Sequence, residues 1–283
     1  DKKAVIFPEG RITVTGTLMK IYEGPALIAD KANAMILPIA IDGAQLSPFS
    51  YMRDRGHLKR FPKITLTILP PEKIELDATL SSHDRRKLAA IKLQKLMLKL
   101  QYATFNYKKT LFVAMTEASD KFGRNLVILE DTSNIHLTYK QLFTRTMILA
   151  RIMDRQTITA ENVGLMLPNV NAMAASFLAL QYLGRVPAML NFSAGSQNII
   201  KACETAKLKT IYTSRLFIEK AGYHALIEDL KSHVNIIFLE DLRQQIKITD
   251  KLLGAWQALN PLKSYLKRGE FNSLDPAVIL FTS

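Results

Sequence analysis

The 283-residue sequence holds one cysteine and no uninterrupted apolar run of membrane-spanning length. Cys203 has no second cysteine to pair with, so an intrachain disulfide is excluded and the chain suits a reducing compartment. We expect Cys203 to be a small buried side chain. The most apolar stretch, residues 163–190, is broken by Pro168, Asn169 and Arg185. It lacks the roughly 20 consecutive apolar residues of a membrane span, so any membrane contact is expected at the surface.

Composition indicates a globular, basic chain. Hydrophobic residues make up 48% and charged residues 22%, and the net charge is +13. Residues 1–109 hold 19 Lys and Arg against 10 Asp and Glu, a net +9, whereas residues 110–283 hold 19 against 15, a net +4. The first region is therefore expected to meet an anionic lipid surface, an acidic protein or a phosphorylated substrate. No nucleic-acid-binding motif is present, so a nucleic-acid partner is not predicted.

The first region reads as a mixture of strands and helices. Strands are predicted at 4–7, 35–41 and 63–69, and a helix at 23–34 with Pro25 in its first turn. Residues 81–105 predict a basic amphipathic helix, capped by Ser82 with Asp84 in the first turn. Its apolar residues are Leu88, Ile91, Leu96, Leu98 and Leu100. The helix either packs this face on its own domain, which the pattern favours, or touches anionic lipid head groups.

The second region alternates strands and helices. Strands are predicted at 162–167, 186–190, 210–214, 235–241 and 277–283, with helices at about 171–184, 196–207, 215–231 and 242–258. This alternation predicts an α/β fold with a mostly parallel, doubly wound sheet.

The stretch "FPEGR" places Glu9 and Arg11 on either side of Gly10, directly after a predicted strand. A glycine turn lets backbone N–H groups approach an anion, and a guanidinium group matches a phosphate. Glu9 could accept a hydroxyl proton, bind a hydroxyl or hold Arg11. The same residues also fit a tight surface turn with a solvated ion pair.

The wider pattern "FPEGRIT…G…MKIYEGPALIA…A…ILPIAIDGA" resembles the phospholipid acyltransferases. The resemblance implies that Glu9, Gly10, Arg11 and Thr13 bind the acceptor's phosphate, and that Pro38 belongs to the family's fourth motif. It also implies a histidine base in an H-x-x-x-x-D motif, which would lie upstream of residue 1. His224 and Asp229 have that spacing, but they fall in a predicted helix where residues five apart share no face, so we interpret them as a chance match.

The second region resembles the adenylate-forming synthetases, which include acyl-CoA and acyl-acyl carrier protein synthetases. The matching segments are "LTYKQL", "VGLMLPNVNAMAASFLALQYLGRVPAMLNFSAG", "ACETAKLKTIYTS" and "DPAVILFTS". In that family a Ser/Thr/Gly-rich loop follows the last of these strands and wraps ATP phosphates. The resemblance therefore implies that Thr282 and Ser283 begin the nucleotide-binding loop, and that ATP and Mg²⁺ are used. No metal ligand is assigned within the chain.

Together the two resemblances, with "YTSRLF" and "LEDL", imply part of a bifunctional enzyme. Residues 1–108 are expected to be the C-terminal portion of an acyltransferase α/β domain with a connecting basic helix. Residues 109–283 are expected to be the N-terminal portion of a synthetase domain. Such an enzyme loads a fatty acid onto acyl carrier protein and passes the acyl group to a lysophosphatidylethanolamine, at the cytoplasmic face of a bacterial inner membrane.

The acyltransferase motifs and the synthetase motifs are both incomplete in this sequence. The chain is therefore predicted to be an internal fragment that catalyses neither reaction alone. Two alternatives stay open. One is a non-catalytic basic module that docks on a membrane or on acyl carrier protein. The other is a monofunctional acyl-CoA synthetase with an N-terminal extension, which the "FPEGRIT…LPIAIDG" pattern disfavours.

Overall fold

A computed structural model describes residues 3–14, 18–51, 58–131, 134–269 and 271–281. The chain divides into two compact units, Asp1–Tyr107 and Lys108–Ser283. The sequence placed a boundary after residue 108; the family assignment of the first unit stays a prediction. Among helices in the described ranges, none is both long and apolar enough to cross a bilayer.

The described residues of the first unit form two short antiparallel pairs of strands and two α-helices. Strand β1 pairs with β4, and β2 pairs with β3 so that Ile39 lies opposite Ile68. The elements are α1 (Glu23–Lys31), β1 (Met35–Ile36), β2 (Ile39–Asp42), a 3₁₀ turn (Ala44–Leu46), β3 (Thr65–Ile68), β4 (Glu72–Lys73) and α2 (Ser82–Thr104).

Two strand predictions in this unit need correction. Residues 4–7 form no strand, and Val5 is 89% exposed. β-prone residues become a strand only when a neighbouring strand accepts their backbone hydrogen bonds. The predicted strand at 35–41 is interrupted at Pro38, which is buried and has no N–H to donate to a ladder.

Helix α2 forms where the sequence predicts it, but its cap and buried face differ. Its N-cap is Ser81, whose hydroxyl oxygen accepts the backbone N–H of Asp84 at 3.1 Å, so the predicted Ser82 cap is wrong. Asp84 lies in the first turn as predicted. The buried positions are Ala89, Leu93, Leu96 and Leu100, whereas the predicted apolar residues Leu88, Ile91 and Leu98 are exposed.

Helix α1 lies along α2, and an ion pair joins them. The Arg85 guanidinium donates to both carboxylate oxygens of Asp30, at 2.7 and 2.8 Å. This hydrogen bond lowers the pKa of the Asp30 carboxyl, although burial acts in the opposite direction. Beneath it lies a small apolar cluster of Ala26, Ile74, Ala89 and Leu93.

The second unit is built on a five-stranded, fully parallel sheet in the order β10-β9-β7-β8-β11. The predicted α/β class with a mostly parallel sheet is confirmed here. The strands are β7 (Asn162–Leu165), β8 (Val186–Met189), β9 (Thr210–Thr213), β10 (Asn235–Phe238) and β11 (Ile279–Leu280). A separate antiparallel pair comprises β5 (Val127–Glu130) and β6 (His136–Thr138).

Helices cover both faces of the parallel sheet. One apolar cluster joins Val163 and Leu165 of β7 to Phe112, Phe143 and the helices around them. The other joins Ala188 and Ile211 to Ile199, Ile218 and Leu230. The helices are α3 (Leu111–Phe122), α4 (Tyr139–Met153), α5 (Asn171–Tyr182), α6 (Ser196–Thr205), α7 (Arg215–Ala221), α8 (His224–Lys231), α9 (Leu239–Gln244), α10 (Ile248–Leu259) and α11 (Pro261–Leu266).

Two long helices predicted in this unit are each divided. The segment 215–231 breaks at Gly222, whose φ of 71° is the left-handed conformation that ends α7. The predicted strand 235–241 ends at Phe238, and α9 starts at Leu239, ahead of the predicted helix start at 242. A new helix, α10, begins after Lys247, whose backbone N–H donates to the Asp250 carboxylate at 3.2 Å.

Candidate functional site

The predicted phosphate-binding residues lie in a tight turn of the first unit. Gly10 has a φ of 64°, and its N–H donates to the Phe7 carbonyl oxygen at 3.0 Å. The Glu9 carboxylate accepts the backbone N–H of Met19 at 2.8 Å. A Cβ atom on Gly10 would lie 3.2 Å from the Tyr22 ring, so both the backbone conformation and the space favour glycine.

The other residues of this predicted site differ in exposure. Arg11 is exposed and Thr13 is half-buried. Pro38 is buried, and its carbonyl oxygen accepts the N–H of Leu69 at 3.1 Å. Within the described ranges no hydrogen bond joins Pro38 to the turn. The Glu9 carboxylate is held by a backbone amide, and the roles of all five residues stay predictions.

The His224 and Asp229 pair lies on α8, in the second unit. His224 is the first residue of the helix, and both side chains are exposed. The structure therefore confirms the helix predicted over these residues. On a helix, residues five apart do not share a face, and this is the reason for interpreting the pair as a chance match.

In the second unit, the order of the strands creates a topological switch point. Strand β8 lies on one side of β7, and the next strand along the chain, β9, lies on the other side of β7. The switch point is therefore between β7 and β9. In open parallel sheets, ligands bind outside the carboxyl ends of the strands at this point. The buried Thr213 hydroxyl donates to the Met166 carbonyl oxygen at 2.7 Å and ties the two strand ends together.

Next to this switch point, a hydrogen-bonded cluster lies at the ends of β9 and β10. The Glu240 carboxylate accepts the Ser214 hydroxyl at 2.7 Å and the backbone N–H groups of Arg215 at 3.0 Å and Leu216 at 3.3 Å. Burial opposes the charge of Glu240, but these hydrogen bonds outweigh it and hold the pKa of the carboxyl below its ordinary value. A carboxylate therefore already occupies the N-terminus of α7.

Arg215 extends this cluster toward the surface. Its guanidinium donates to the Asp241 carboxylate at 2.5 Å and lies 4.1 Å from the centre of the Phe238 ring. The sequence reasoning missed the cluster because it took residues 235–241 as one strand. Two consecutive acidic residues after an apolar run, "FLED", are the signal of a helix N-terminus that could have revealed it.

The predicted nucleotide-binding residues Thr282 and Ser283 lie outside the described residues. The strand that leads to them is described: β11 pairs in parallel with β8, with Leu280 opposite Met189, and Phe281 follows it. Its carboxyl end lies at the same edge of the sheet as those of β7 and β9, because all five strands run in one direction.

No group of three or more His, Cys, Asp and Glu side chains in the described part of the chain could hold a metal ion. We therefore name no residue of this chain as a ligand of Mg²⁺.

Comparison with known proteins finds one family model and several similar solved structures. Residues 115–283 match the family model described as AMP-binding enzyme. The crystal structure of VinN is similar with a TM-score of 0.50 at 15% identity, over 63% of this chain and 43% of that one. At this low sequence identity, the similarity shows a shared fold and carries no information about function.

Two further solved structures are similar at lower scores. The N-terminal subdomain of Klebsiella oxytoca NpsA has a TM-score of 0.40 at 16% identity, over 50% of this chain and 34% of that one. The o-succinylbenzoate CoA synthetase MenE of Bacillus subtilis, in complex with its acyl-adenylate intermediate OSB-AMP, has a TM-score of 0.40 at 14% identity, over 48% and 33%. The chain spans less than half the length of each of these three proteins.

Proposed function

The chain belongs to the AMP-binding enzymes, and from this premise we propose that it is part of a bifunctional acyl-acyl carrier protein synthetase and 2-acylglycerophosphoethanolamine acyltransferase. Enzymes of the AMP-binding family are adenylate-forming ligases that use ATP and Mg²⁺. The carrier-protein acceptor and the acyl transfer to a lysophospholipid are our own assignment.

The proposed ligation proceeds in two steps. A fatty-acid carboxylate oxygen attacks the α-phosphorus of ATP, the bond to the leaving pyrophosphate breaks, and an acyl-adenylate forms. The thiolate of the carrier protein's prosthetic arm then attacks the acyl carbon, and AMP leaves with the bonding electrons. Each step needs donors that stabilise negative charge on phosphate or carbonyl oxygens.

One observation carries the ligase part of the proposal: the carboxyl edge of the parallel sheet. There β11, which pairs with β8 on the far side from β7, leads into Thr282 and Ser283. Its carboxyl end lies at the same edge of the sheet as the switch point between β7 and β9. Hydroxyls and backbone N–H groups in a loop at such an edge are suited to phosphate oxygens. We propose that Thr282 and Ser283 contribute to nucleotide binding there.

The acyl-transfer part is supported by the motif resemblance of residues 7–41 and by the turn that holds Glu9. In it, the free hydroxyl of a lysophosphatidylethanolamine attacks the acyl thioester, and the carrier thiol leaves. We propose that Glu9, Gly10, Arg11 and Thr13 bind the acceptor phosphate, and that Pro38 supports the site. The reaction would take place at the cytoplasmic face of a bacterial inner membrane, with acyl carrier protein as the donor.

The test uses the intact protein that carries this sequence. Pyrophosphate exchange that depends on a fatty acid measures adenylate formation, and labelled acyl groups measure delivery to acyl carrier protein, to coenzyme A and to lysophosphatidylethanolamine. Arg11→Ala should reduce transfer to the lysophospholipid and leave pyrophosphate exchange intact, while Thr282→Ala should do the reverse. Loading of coenzyme A but not carrier protein would overturn the acceptor assignment.

A second candidate is a non-catalytic docking module for a membrane or for acyl carrier protein. The net charge of +9 in residues 1–109 favours it, because an excess of basic residues attracts both partners. It predicts binding of one partner with no pyrophosphate exchange and no acyl transfer in the intact protein. Fatty-acid-dependent exchange would eliminate it.

A further inference from the structure

Helix α10 packs one narrow face against α4. Asp250, Gly254 and Ala258 recur every four residues and are all buried. A Cβ atom on Gly254 would lie 2.7 Å from the Ile148 side chain of α4. The two helices therefore pack closely through small residues, and a larger residue at 254 would force them apart.

A buried carboxylate fixes the rotation of this helix. The Asp250 side chain is 1% exposed and accepts the Arg155 guanidinium at 2.6 Å and that of Arg151 at 3.2 Å. It also accepts the backbone N–H of Lys247 at the start of α10. Turning α10 about its axis would bury an unpaired charge or break these bonds, so the opposite face is held outward.

That outward face carries the large apolar residues. Ile248, Leu252, Trp256 and Leu259 lie within one 80° sector by the 100° rotation per residue of an α-helix, and each is more than 60% exposed. Leu266 of α11 is exposed to the same degree. Surface helices ordinarily turn such residues toward the core. Here the pattern is reversed, and contiguous exposed apolar residues mark contact with a partner or a membrane.

The surrounding charge is of one sign. Between residues 242 and 268 the sole acidic residue is Asp250, which is buried against two arginines. The exposed basic residues in this interval are Arg243, Lys247, Lys251, Lys263, Lys267 and Arg268, of which Arg268 is paired with Asp154. A helix with an apolar ridge and basic flanks has the composition of an interfacial membrane-binding helix.

We propose that α10 and the start of α11 form a docking surface for an anionic phospholipid bilayer. Ile248, Leu252, Trp256 and Leu259 would enter the boundary between head groups and acyl chains, and the lysines would contact lipid phosphates. A ridge of bulky side chains is convex, which suits a deformable bilayer, whereas an acidic protein partner would need a matching groove. The choice of a lipid rests on the proposed function, in which the acceptor is a membrane lipid; the surface itself rests on exposure and charge.

The tryptophan makes the surface directly measurable, because Trp256 is the only one in the chain. We expect vesicles of phosphatidylethanolamine and phosphatidylglycerol to shift its fluorescence emission to shorter wavelength and to protect it from acrylamide. Neutral phosphatidylcholine vesicles should do so much less, and added salt should weaken binding to the anionic vesicles.

Two variants test whether vesicle binding depends on this surface or on basic residues elsewhere in the chain. Leu252→Glu places a negative charge in the ridge beside the reporter, and we expect vesicle affinity to fall about tenfold or more. Leu274→Glu is the matched control, because Leu274 is 79% exposed and lies outside α10 and α11. It should leave affinity unchanged. Circular dichroism verifies that both variants are folded.

Four outcomes would overturn the assignment. These are no emission shift with anionic vesicles, an equal loss of binding in both variants, a shift that depends on protein concentration without lipid, and a shift produced by acyl carrier protein but not by vesicles. The third would indicate a second copy of the chain, and the fourth a protein partner. Vesicle binding without fatty-acid-dependent pyrophosphate exchange would overturn the proposed function and leave the docking surface standing.

Discussion

The two units bury their apolar residues to very different extents. The second unit encloses Phe112, Phe143 and Tyr212 completely, within clusters on both faces of its parallel sheet. The first unit has a cluster of four buried residues. On one face of its β2–β3 pair, Ile39, Ile41, Leu66 and Ile68 are each about half exposed. The large apolar residues of the first unit are therefore less completely buried than those of the second unit.

The difference in burial means that different interactions stabilise the two units. In the second unit, burial of large side chains dominates. In the first, the α1–α2 pair depends more on the Asp30–Arg85 ion pair and on the cap of α2, each of which is worth less than a large buried side chain. Four substitutions test this difference, from the largest expected effect to the smallest.

Phe112→Ala should cost the second unit about 3–5 kcal/mol of unfolding free energy, because the ring is fully buried against Phe143, Tyr182 and Tyr265. Urea unfolding followed by Trp256 fluorescence measures it. Phe61→Ala in the first unit is the control, since that ring is 88% exposed, and a change within ~0.5 kcal/mol is expected by circular dichroism. Similar losses in both would contradict the contrast in burial.

Asp250→Ala should cost roughly 2–4 kcal/mol, because it leaves Arg151 of α4 and Arg155, just after α4, without their carboxylate, and removes the bond at the start of α10. The arginines are partly exposed, which keeps the loss below that of a fully buried pair. Asp229→Ala on α8 is the matched exposed control. If the two variants unfold at the same urea concentration, Asp250 does not anchor α10.

Ser81→Ala should cost about 1 kcal/mol, because it removes the side-chain cap of α2. Ser82→Ala, one residue later, should change little or stabilise the helix slightly. The comparison tests the corrected position of the cap, with unfolding followed by circular dichroism. A larger loss at 82 than at 81 would restore the cap predicted from the sequence.

The Asp30–Arg85 pair should give the first unit a dependence on acidic pH. The pKa of Asp30 is lower in the folded chain than in the unfolded one, so its stabilising contribution is present above the unfolded value of about 3.9 and is lost as the pH falls through the folded value. A ¹³C titration of the carboxyl group should place its midpoint below the ordinary value. Arg85→Gln should raise it, and an unchanged midpoint would remove Arg85 as the cause.

Much of the second unit could be predicted from the sequence. Every strand of its sheet lies within a predicted apolar run, because parallel strands covered on both faces are nearly continuously apolar. The divided helices could not be predicted as readily: the left-handed turn at Gly222 and the start of α9 after Phe238 depend on packing more than on apolar spacing.

The structure of the first unit was harder to predict from the sequence, for a physical reason. At residues 4–7 the side chains favour a strand, but strand formation depends on a neighbour that a local pattern does not contain. In α2 the apolar residues are spread around the helix, and which of them become buried is decided by tertiary contacts. At the candidate site, the "FLED" pattern indicates the start of α9, but the residues that Glu240 contacts lie 24 to 26 positions away, and tertiary packing decides which they are.

The single cysteine, Cys203, makes it possible to measure how often part of the second unit opens. Cys203 lies in the α6 layer with 2% exposure, and burial, with the neighbouring Glu204 charge, raises the pKa of its thiol to about 11. Because thiol reagents attack the thiolate, labelling near neutral pH must wait until this layer opens. The labelling half-life therefore measures how often α6 separates from the sheet. A nucleotide that binds at the carboxyl edge and stabilises the closed layer would lengthen that half-life, even where no product forms.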